Sequence, residues 1–447
     1  MNAPTIAAIA SPPGTGAISL IRVSGSSARE IAAAIFEFRG TELAPRIQNF
    51  GRIVDPDGNP IDEVLLTFFP NPHSYTGEDT IEISCHGGIL ATRKVLERVL
   101  EAGARPADPG EFSQRAFLNG KMDLTQAEAV MDLISAQTDL ALRAAHEQLS
   151  GRLGNQLMDL REELIGIAAH VEAYIDFPEE DIDPETGNEI VARIESVRQA
   201  VDRLLDTADQ GKILREGVRT VICGAPNVGK SSLLNLLLGF DRAIVSETAG
   251  TTRDTIEEVI NLRGIPLRLV DTAGVRDSSD EIEKEGISRT HAQLKNAELI
   301  LEVIDSSRPK SDWKPVSIPP AARLLRVKNK IDLGIDPAWA DRDGIPVSCE
   351  TRDGFEDLGE AIYDLLSGSG NVFGSANLVA INARHKHCLG EARAYLDAAC
   401  AQLKQGASPE FAGLEIRSAL DSIGEVVGKA DVEEILGAIF SSFCIGK

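Results

Sequence analysis

The densest chemistry in the chain lies in eight residues, Gly224-Ala225-Pro226-Asn227-Val228-Gly229-Lys230-Ser231. The pattern G-x-x-x-x-G-K-S is a phosphate-binding loop. Its glycines let backbone N–H groups close around phosphate oxygens, and its lysine adds a point charge. The apolar run Val218 to Cys223 before it reads as a buried strand, and Ser232 to Leu238 after it reads as a helix whose N-terminus adds partial positive charge. Lys230 suits the terminal phosphates and Ser231 suits Mg²⁺. Gly250-Thr251-Thr252-Arg253-Asp254 offers Thr252 as a second magnesium ligand that senses the γ-phosphate. Asp271-Thr272-Ala273-Gly274 ends the strand Leu267 to Val270, with Asp271 reaching the metal through water and the Gly274 N–H meeting the γ-phosphate.

Asn329-Lys330-Ile331-Asp332 follows another strand. A carboxylate at Asp332 accepts from both the N1–H and the 2-amino group of guanine, donors that adenine lacks. At about 1.5–3 kcal/mol per charge-assisted hydrogen bond, two such bonds favour guanine by orders of magnitude. Ser348-Cys349-Glu350 stands where the last base-contacting loop belongs and departs from the commoner Ser-Ala-Lys. Four motifs in this order define a GTP site. Its expected nucleotide-binding residues are Asn227, Val228, Gly229, Lys230, Ser231, Ser232, Gly250, Thr251, Thr252, Asp271, Thr272, Ala273, Gly274, Asn329, Lys330 and Asp332, to which the family resemblance given below adds Ser246, Glu247, Thr248 and Ala249.

Many regulatory GTPases orient the attacking water with a glutamine just after D-x-A-G. Here that position is Val275, which cannot polarise water. The following loop offers Asp277, Asp280, Glu281, Glu283 and Glu285, and Arg253 and Arg276 stand nearby. Asn227 is suited to a monovalent cation placed where an arginine's charge would otherwise sit.

The elements that must position these residues divide the chain into segments. Strands alternate with helices from 217 to 370, as in a doubly wound, mostly parallel sheet. Arg263-Gly264-Ile265 between two apolar runs implies a hairpin and one antiparallel edge. Residues 1–118 read as a small α+β unit, with strands at Ile6 to Ala10, Ala17 to Val23, Val64 to Phe69 and Thr80 to Cys85. Helical spacing marks Ser27 to Phe38 and Ile89 to Ala102. Residues 119–216 read as helices over Leu124 to Leu149, Leu153 to Ile175 and Ile190 to Ile213, and helices return in 371–447 over Arg384 to Leu403, Phe411 to Val427 and Asp431 to Phe440. The fold class is therefore multidomain, α+β and α/β, with a helical bundle into which the GTPase unit is inserted. His385-Lys386-His387-Cys388 reads as helix surface rather than a metal site.

The chain has 447 residues, enough for two to four domains, with 43% hydrophobic and 26% charged residues. No apolar run has the length of a membrane span. The first residues lack a basic stretch followed by an apolar one, so no secretory signal is expected. Six scattered cysteines, with no C-x-x-C pair, fit reduced cytoplasmic thiols. The net charge of -24 excludes bulk electrostatic attraction to nucleic acid, so any RNA contact needs a local patch or a partner.

Outside the GTPase unit, three strings stand out: Ser74-Tyr75-Thr76-Gly77-Glu78-Asp79, His86-Gly87-Gly88, and the run Pro109 to Lys121. With the ending Phe440-Ser441-Ser442-Phe443-Cys444-Ile445-Gly446-Lys447, they make the chain resemble the MnmE (TrmE) family of tRNA uridine-modification GTPases from end to end. The resemblance implies an N-terminal domain that binds a tetrahydrofolate derivative (5,10-methylene- or 5-formyl-) and forms a homodimer. It implies a helical domain split by the GTPase domain. It implies a cytoplasmic partner, the FAD-dependent MnmG (GidA), in a heterotetramer or larger complex that places an aminomethyl or carboxymethylaminomethyl group on C5 of the wobble uridine of certain tRNAs. Matching positions give Arg22, Glu82, Lys121 and Lys447 as folate contacts. They give Asn227, Ser246, Thr248 and Thr251 as the K⁺ site, Ser231 and Thr252 as the Mg²⁺ site, and Glu283 as the catalytic, water-orienting glutamate. Cys444 stays outside the catalytic set. For Lys447 to take part, the tail must reach the first domain, an arrangement expected across a dimer. The alternatives are a ribosome-assembly or other regulatory GTPase switch, which would carry a basic RNA-binding appendage that is not seen here, and a pure scaffold, which would not turn over GTP.

Overall fold

The computed structural model describes residues 3–38, 40, 43–176, 184–239, 258–270, 293–309, 313, 318–320, 322–339, 344–367, 380–406, 408–429, 433–441 and 443–446. They form two compact units, one of residues 1–131, 153–194 and 395–447, the other of 132–152 and 195–394.

The first unit is built on a sheet of β1 (Ile6–Ile9), β2 (Ile18–Ser24), β3 (Phe36–Phe38), β4 (Asn49–Val54), β5 (Pro60–Phe69), β6 (Thr80–His86) and β7 (Arg105–Pro106), in the order β3-β4-β5-β6-β2-β1-β7. All pairs are antiparallel except β1 with β7. Side chains alternate between the two faces of a strand, and the two faces carry different cores. Ile21, Val23, Ile81 and Ile83 are buried with α1 (Ala28–Ile35) and α2 (Ile89–Glu101) through Ile31, Ile35, Val95 and Val99. Ile6, Ala8 and Phe112 of α3 (Glu111–Leu118) form a separate cluster with Tyr75. Helical spacing over Ser27 to Phe38 proves too long: the helix stops at Ile35, and Phe36–Phe38 pairs with β4. Sheet pairing overrides local helical pattern there.

The helices that follow are α4 (Leu124–Ser135), α5 (Asp139–Leu149), α6 (Arg152–Asp176), α7 (Pro184–Leu205) and α8 (Ala208–Glu216). Two segments expected as single helices are thus broken. Thr138 caps α5 by accepting from the Ala141 N–H at 3.2 Å, which ends the continuity of Leu124 to Leu149. Ile190 to Ile213 breaks at Asp206–Thr207, where the Thr207 hydroxyl donates to Leu204 O at 2.7 Å. In the first unit α6 packs on α12 (Pro409–Val427), and a Cβ at Gly413 would lie 3.5 Å from Val171. These helices precede and follow the second unit's sheet in sequence, so the sheet is inserted between parts of one helical assembly.

The tail closes on the first unit within one chain. Phe440 and Phe443 are buried with Leu124 and Ala127. A Cβ at Gly446 would meet Ile9 O at 2.3 Å, so the tail lies against β1 of its own chain rather than reaching it only from a second copy. Lys447 lies outside the described residues.

The second unit holds β8 (Val218–Cys223), β9 (Glu258–Leu262), β10 (Ile265–Leu269), β11 (Leu299–Asp305), β12 (Arg323–Asn329) and β13 (Ile345–Pro346), in the order β13-β12-β11-β8-β10-β9. Every pair is parallel except β9 with β10. The hairpin turns through Arg263 (φ 50) and Gly264 (φ 93), the two left-handed residues a tight turn demands. β11 is buried at every position from Leu299 to Ile304, as a central parallel strand covered on both faces must be. The helices α9 (Lys230–Leu237) and α10 (Phe355–Ser367) contribute Leu233, Leu237, Leu358 and Ile362 to the core. In α11 (Ala383–Lys404) His385 and Cys388 are buried, which corrects their reading as helix surface. His385 takes the Asn382 N–H on Nδ1 at 3.3 Å and returns its own N–H to Asn382 Oδ1 at 2.8 Å, capping the helix start.

Among the described residues no helix is long and apolar enough to cross a membrane. None of their His, Cys, Asp and Glu side chains gather in threes to hold a metal.

Candidate functional site

β8 delivers the chain to Gly224, the loop runs to Gly229, and α9 starts at Lys230. Gly224 has φ 147, and a Cβ there would meet Val303 O at 2.2 Å. Gly229 has φ 99, and a Cβ there would lie 2.1 Å from Asn329 Nδ2. Only glycine meets both the angle and the space at these two positions. Asn227 is left-handed as well, with φ 61. Val228 is buried, and Ser231 and Ser232 sit in the first turn of α9. Lys230 Nζ donates to Gly224 O at 3.0 Å and Ala225 O at 2.8 Å, so its charge lies inside the loop it opens from.

The base loop is tied directly to this phosphate loop. Asn329 Nδ2 donates to Val228 O at 2.8 Å, and Asn329 Oδ1 accepts the Cys349 N–H at 3.1 Å. One buried amide therefore spaces three segments that are far apart in sequence. Lys330 Nζ donates to Asn227 O at 2.7 Å and pairs with Asp305 Oδ2 at 2.8 Å. The buried Ser348 hydroxyl donates to Asp332 Oδ1 at 2.6 Å and accepts the Thr351 N–H at 3.1 Å. This fixes the rotamer of the carboxylate expected to read guanine.

Electrostatics follow from this packing. Burial pushes the Cys349 thiol up to about 11, with the Asp332 charge adding to it. The Cys223 thiol is pushed up to about 12 by burial, then by Glu302. Both cysteines are inert thiols at neutral pH. Burial also pushes the Asp305 carboxyl up, but its bonds to Lys330 and Ser307 outweigh that and hold it below the ordinary carboxylate value.

Thus the structure brings together Asn227, Val228, Gly229, Lys230, Ser231, Ser232, Asn329, Lys330 and Asp332. Ser246, Glu247, Thr248, Ala249, Gly250, Thr251, Thr252, Asp271, Thr272, Ala273, Gly274 and Glu283 lie outside the described residues.

The second expected set lies on the first unit's sheet. Arg22 of β2 faces Glu82 of β6 in register, and its Nε and Nη2 both donate to Glu82 Oε1, at 3.0 and 2.8 Å. The Arg22 guanidinium stands 5.1 Å over the Tyr75 ring and 5.8 Å over Phe112. Tyr75 in turn bonds Ser113 at 2.8 Å. Lys121 Nζ donates to Pro72 O at 3.1 Å, and its Cγ lies 3.2 Å from where a Cβ at Gly77 would stand. So Arg22 and Glu82 meet, and Lys121 stands on the loop that carries Tyr75.

Under that loop runs a buried network that residue-by-residue reading misses. Arg115 Nη1 donates to Glu78 Oε2 at 3.0 Å, and Arg115 Nη2 donates to Glu111 Oε1 at 2.8 Å. Arg105 grips the same Glu111, and Ser24 donates to Glu78. The strings Ser74 to Asp79 and Pro109 to Lys121 are thus two sides of one ion-pair lattice. Their signal is opposite charges recurring inside otherwise conformational motifs.

The comparisons with known proteins agree with this layout. A family model described as the MnmE helical domain matches residues 124–444, and one for the GTP-binding protein TrmE N-terminus matches 5–121. The tRNA modification GTPase MnmE of Akkermansia muciniphila is 54% identical over 99% of both chains. That of Natranaerobius thermophilus is 44% identical over the full length of both. A solved structure, the G domain of the T. maritima FeoB iron transporter, is 26% identical over 33% of this chain and 98% of its own, with a TM-score of 0.23, too low to carry a fold argument. The extent and identity of the full-length matches settle the matter: the chain belongs to the MnmE family of tRNA modification GTPases.

Proposed function

We propose that this chain binds GTP between its phosphate and base loops, hydrolyses it, and uses the resulting conformational cycle in modifying C5 of the wobble uridine of tRNA. The observation that carries the reading is the joining of the two loops through Asn329 while Ser348 holds Asp332 in place. A site spaced this way recognises a guanine base and a phosphate chain at once. Lys230 exchanges its two loop carbonyls for phosphate oxygens. Ser231 places a hard hydroxyl oxygen beside it, the ligand type Mg²⁺ takes, and Thr252 completes the pair. The metal, when bound, neutralises charge on the phosphates.

Asn227, at the left-handed apex of the loop, fits a K⁺ ligand together with Ser246, Thr248 and Thr251. Glu283 positions the water. The Arg22–Glu82 pair beside Tyr75 offers a carboxylate for the N–H donors of a pterin and an aromatic face alongside. Lys121 and Lys447 supply charge for the glutamate tail of a tetrahydrofolate. The domain roles follow from this: folate and homodimer contacts in 1–118, the GTPase in 217–370, and the split helical domain in 119–216 and 371–447. The redox step is left to an FAD-dependent partner of the MnmG kind, in the cytoplasm.

Nucleoside analysis of tRNA from cells lacking the chain tests the reading. Loss of the C5 substituent is expected, and unchanged modified nucleosides would overturn it. Exchanging potassium for sodium is expected to slow GTP turnover by the purified chain, and equal rates would remove the potassium site.

A further inference from the structure

The geometry points to Asp305 as a positioning residue for nucleotide binding. Its carboxylate holds Lys330 in the pose from which Lys330 clamps the phosphate loop at Asn227 O. The inference rests on the GTP site described above and adds the residue that sets the spacing of its two loops.

Asn227 and Lys330 are both non-glycine residues in the left-handed region, at φ 61 and φ 66. Side chains make that conformation unfavourable, so it persists where neighbouring contacts fix it. A hydrogen bond joins the two strained positions, from Lys330 Nζ to Asn227 O at 2.7 Å. The same ammonium is held from behind by Asp305 Oδ2 at 2.8 Å.

Asp305 is itself well fixed. It ends β11, the buried central strand, and its side chain is 7% exposed. Its other oxygen, Oδ1, accepts the Ser307 N–H at 3.1 Å and the Ser307 hydroxyl at 2.6 Å. Arg308 Nε stands 3.5 Å from Oδ2. The lysine stem is flexible and the sheet is not, so the rigid end of this strap is the aspartate. An ammonium anchored at one end only would sample other rotamers, and the Asn227 carbonyl would lose its fixed donor. The loop apex and the turn leading to Asp332 would then no longer be set relative to one another. Against the upward push of burial, the bonds from Lys330 and Ser307 hold the Asp305 carboxyl below its ordinary value, so the anchor is ionised at neutral pH.

Asp305 bonds Lys330 and Ser307, and the inference is that it acts on the nucleotide through Lys330. That gives it a signature which general destabilisation would not produce. Lys330→Met is expected to weaken GTP and GDP binding by about 10- to 100-fold, the scale of a charge-assisted hydrogen bond. Asp305→Asn is expected to weaken both nucleotides about 10-fold and raise KM, with kcat at saturating GTP within about twofold of the parent. The decisive variant is the pair Asp305→Asn with Lys330→Met, which removes both charges of the ion pair together and leaves neither without its counterion. If Asp305 acts through Lys330, the pair binds GTP as Lys330→Met does, because residues in one network are not additive. A further tenfold loss in the pair, or parent affinity in a folded Asp305→Asn, overturns the inference. A parent chain that binds ATP and GTP equally would sink the GTP reading itself, a separate result seen before any variant is made.

Discussion

The nucleotide site and the charged set on the first unit's sheet solve the same problem by different means. On the proposed reading both hold ionised side chains at fixed spacing beside a polar ligand. In the second unit the functional groups hang from loops, and the loops are fastened to one another. Asn329, Lys330 and Ser348 each bond a segment other than their own, mostly through backbone carbonyls and N–H groups. In the first unit Arg22 and Glu82 need no such fastening. Strand register puts them opposite each other, and the ion-pair lattice of Glu78, Arg105, Glu111 and Arg115 braces the loop above. A loop-built site can rearrange when its ligand changes, as a hydrolysis cycle requires. A sheet-built site presents the same face throughout, as a holder for a second cofactor would.

The largest effect expected on that contrast is kinetic and falls in the loop-built site. Glu283→Ala should leave GTP affinity near the parent value and cut single-turnover hydrolysis by roughly 10²–10⁴, the scale of a positioned acid–base group. The same change should leave binding of a folate analogue untouched. An unaltered hydrolysis rate would assign the water to another residue.

Next is the base. Asp332→Asn should lower GTP affinity by roughly 10²–10³-fold and raise affinity for xanthosine triphosphate, because an amide can donate to xanthine's extra carbonyl. Competition between the two nucleotides reads this directly. Retained preference for GTP would mean that Ser348 and the backbone, not the carboxylate, select the base.

The lattice of the first unit should yield a change in stability rather than in rate. Burial pushes the Glu111 carboxyl up, but Arg105, the Asp108 N–H and Arg115 more than reverse this, so it titrates below its ordinary 4.5. A depressed carboxylate stabilises the fold above its unfolded value, and that contribution disappears as the pH falls through the folded value. Asp305 behaves likewise below its ordinary 3.8. Acid should therefore weaken both units. Glu111→Gln should destabilise the first unit by about 3 kcal/mol at neutral pH, since it strips charge from a buried group between two arginines. It should also flatten the acid limb of a denaturation curve taken from pH 7 to 3. A parent-like acid limb in that variant would place the acid sensitivity elsewhere.

The same contrast explains what could be read in advance. Gly224 to Ser231 and Asn329 to Asp332 are legible because a phosphate loop and a base loop need fixed residue types at fixed local spacing. β8 is legible because Val218 to Cys223 is a largely apolar run directly before the phosphate loop, as a buried parallel strand requires. The break at Thr138 is not, because threonine fits a helix interior and a cap alike. Phe36–Phe38 is not, because the partner that turns it into a strand lies in β4. His385 and Cys388 sit inward on α11, a choice of face that His-Lys-His-Cys does not encode locally. Asp305 is a lone acid at the end of a strand. Nothing marks it until folding brings Lys330, 25 residues later, within 2.8 Å. Arg22 and Glu82 lie 60 residues apart and meet by register alone, so only the family resemblance draws the eye to them.

The smallest effect expected is at that pair, and it is the sharpest test of the sheet-built reading. Arg22 and Glu82 are partly exposed, at 16% and 25% of the side chain. Cross-strand ion pairs of this kind contribute roughly 0.2–1 kcal/mol, so Glu82→Ala should barely move the melting temperature. The stacking of Arg22 over Tyr75 and Phe112 does not depend on Glu82 and should hold the guanidinium in place. On the proposed reading, what the variant removes is the acceptor for the pterin N–H donors. Binding of 5-formyl-tetrahydrofolate, followed by titration calorimetry, should weaken about tenfold or more, the scale of one charge-assisted hydrogen bond. GTP affinity should not change. Glu82→Gln separates charge from shape: the amide keeps one acceptor oxygen, so its loss should be intermediate. If Glu82→Ala binds the folate as the parent does, Glu82 is only Arg22's partner, and the exposed face of β2 and β6 is a brace for the Tyr75 loop rather than a ligand floor.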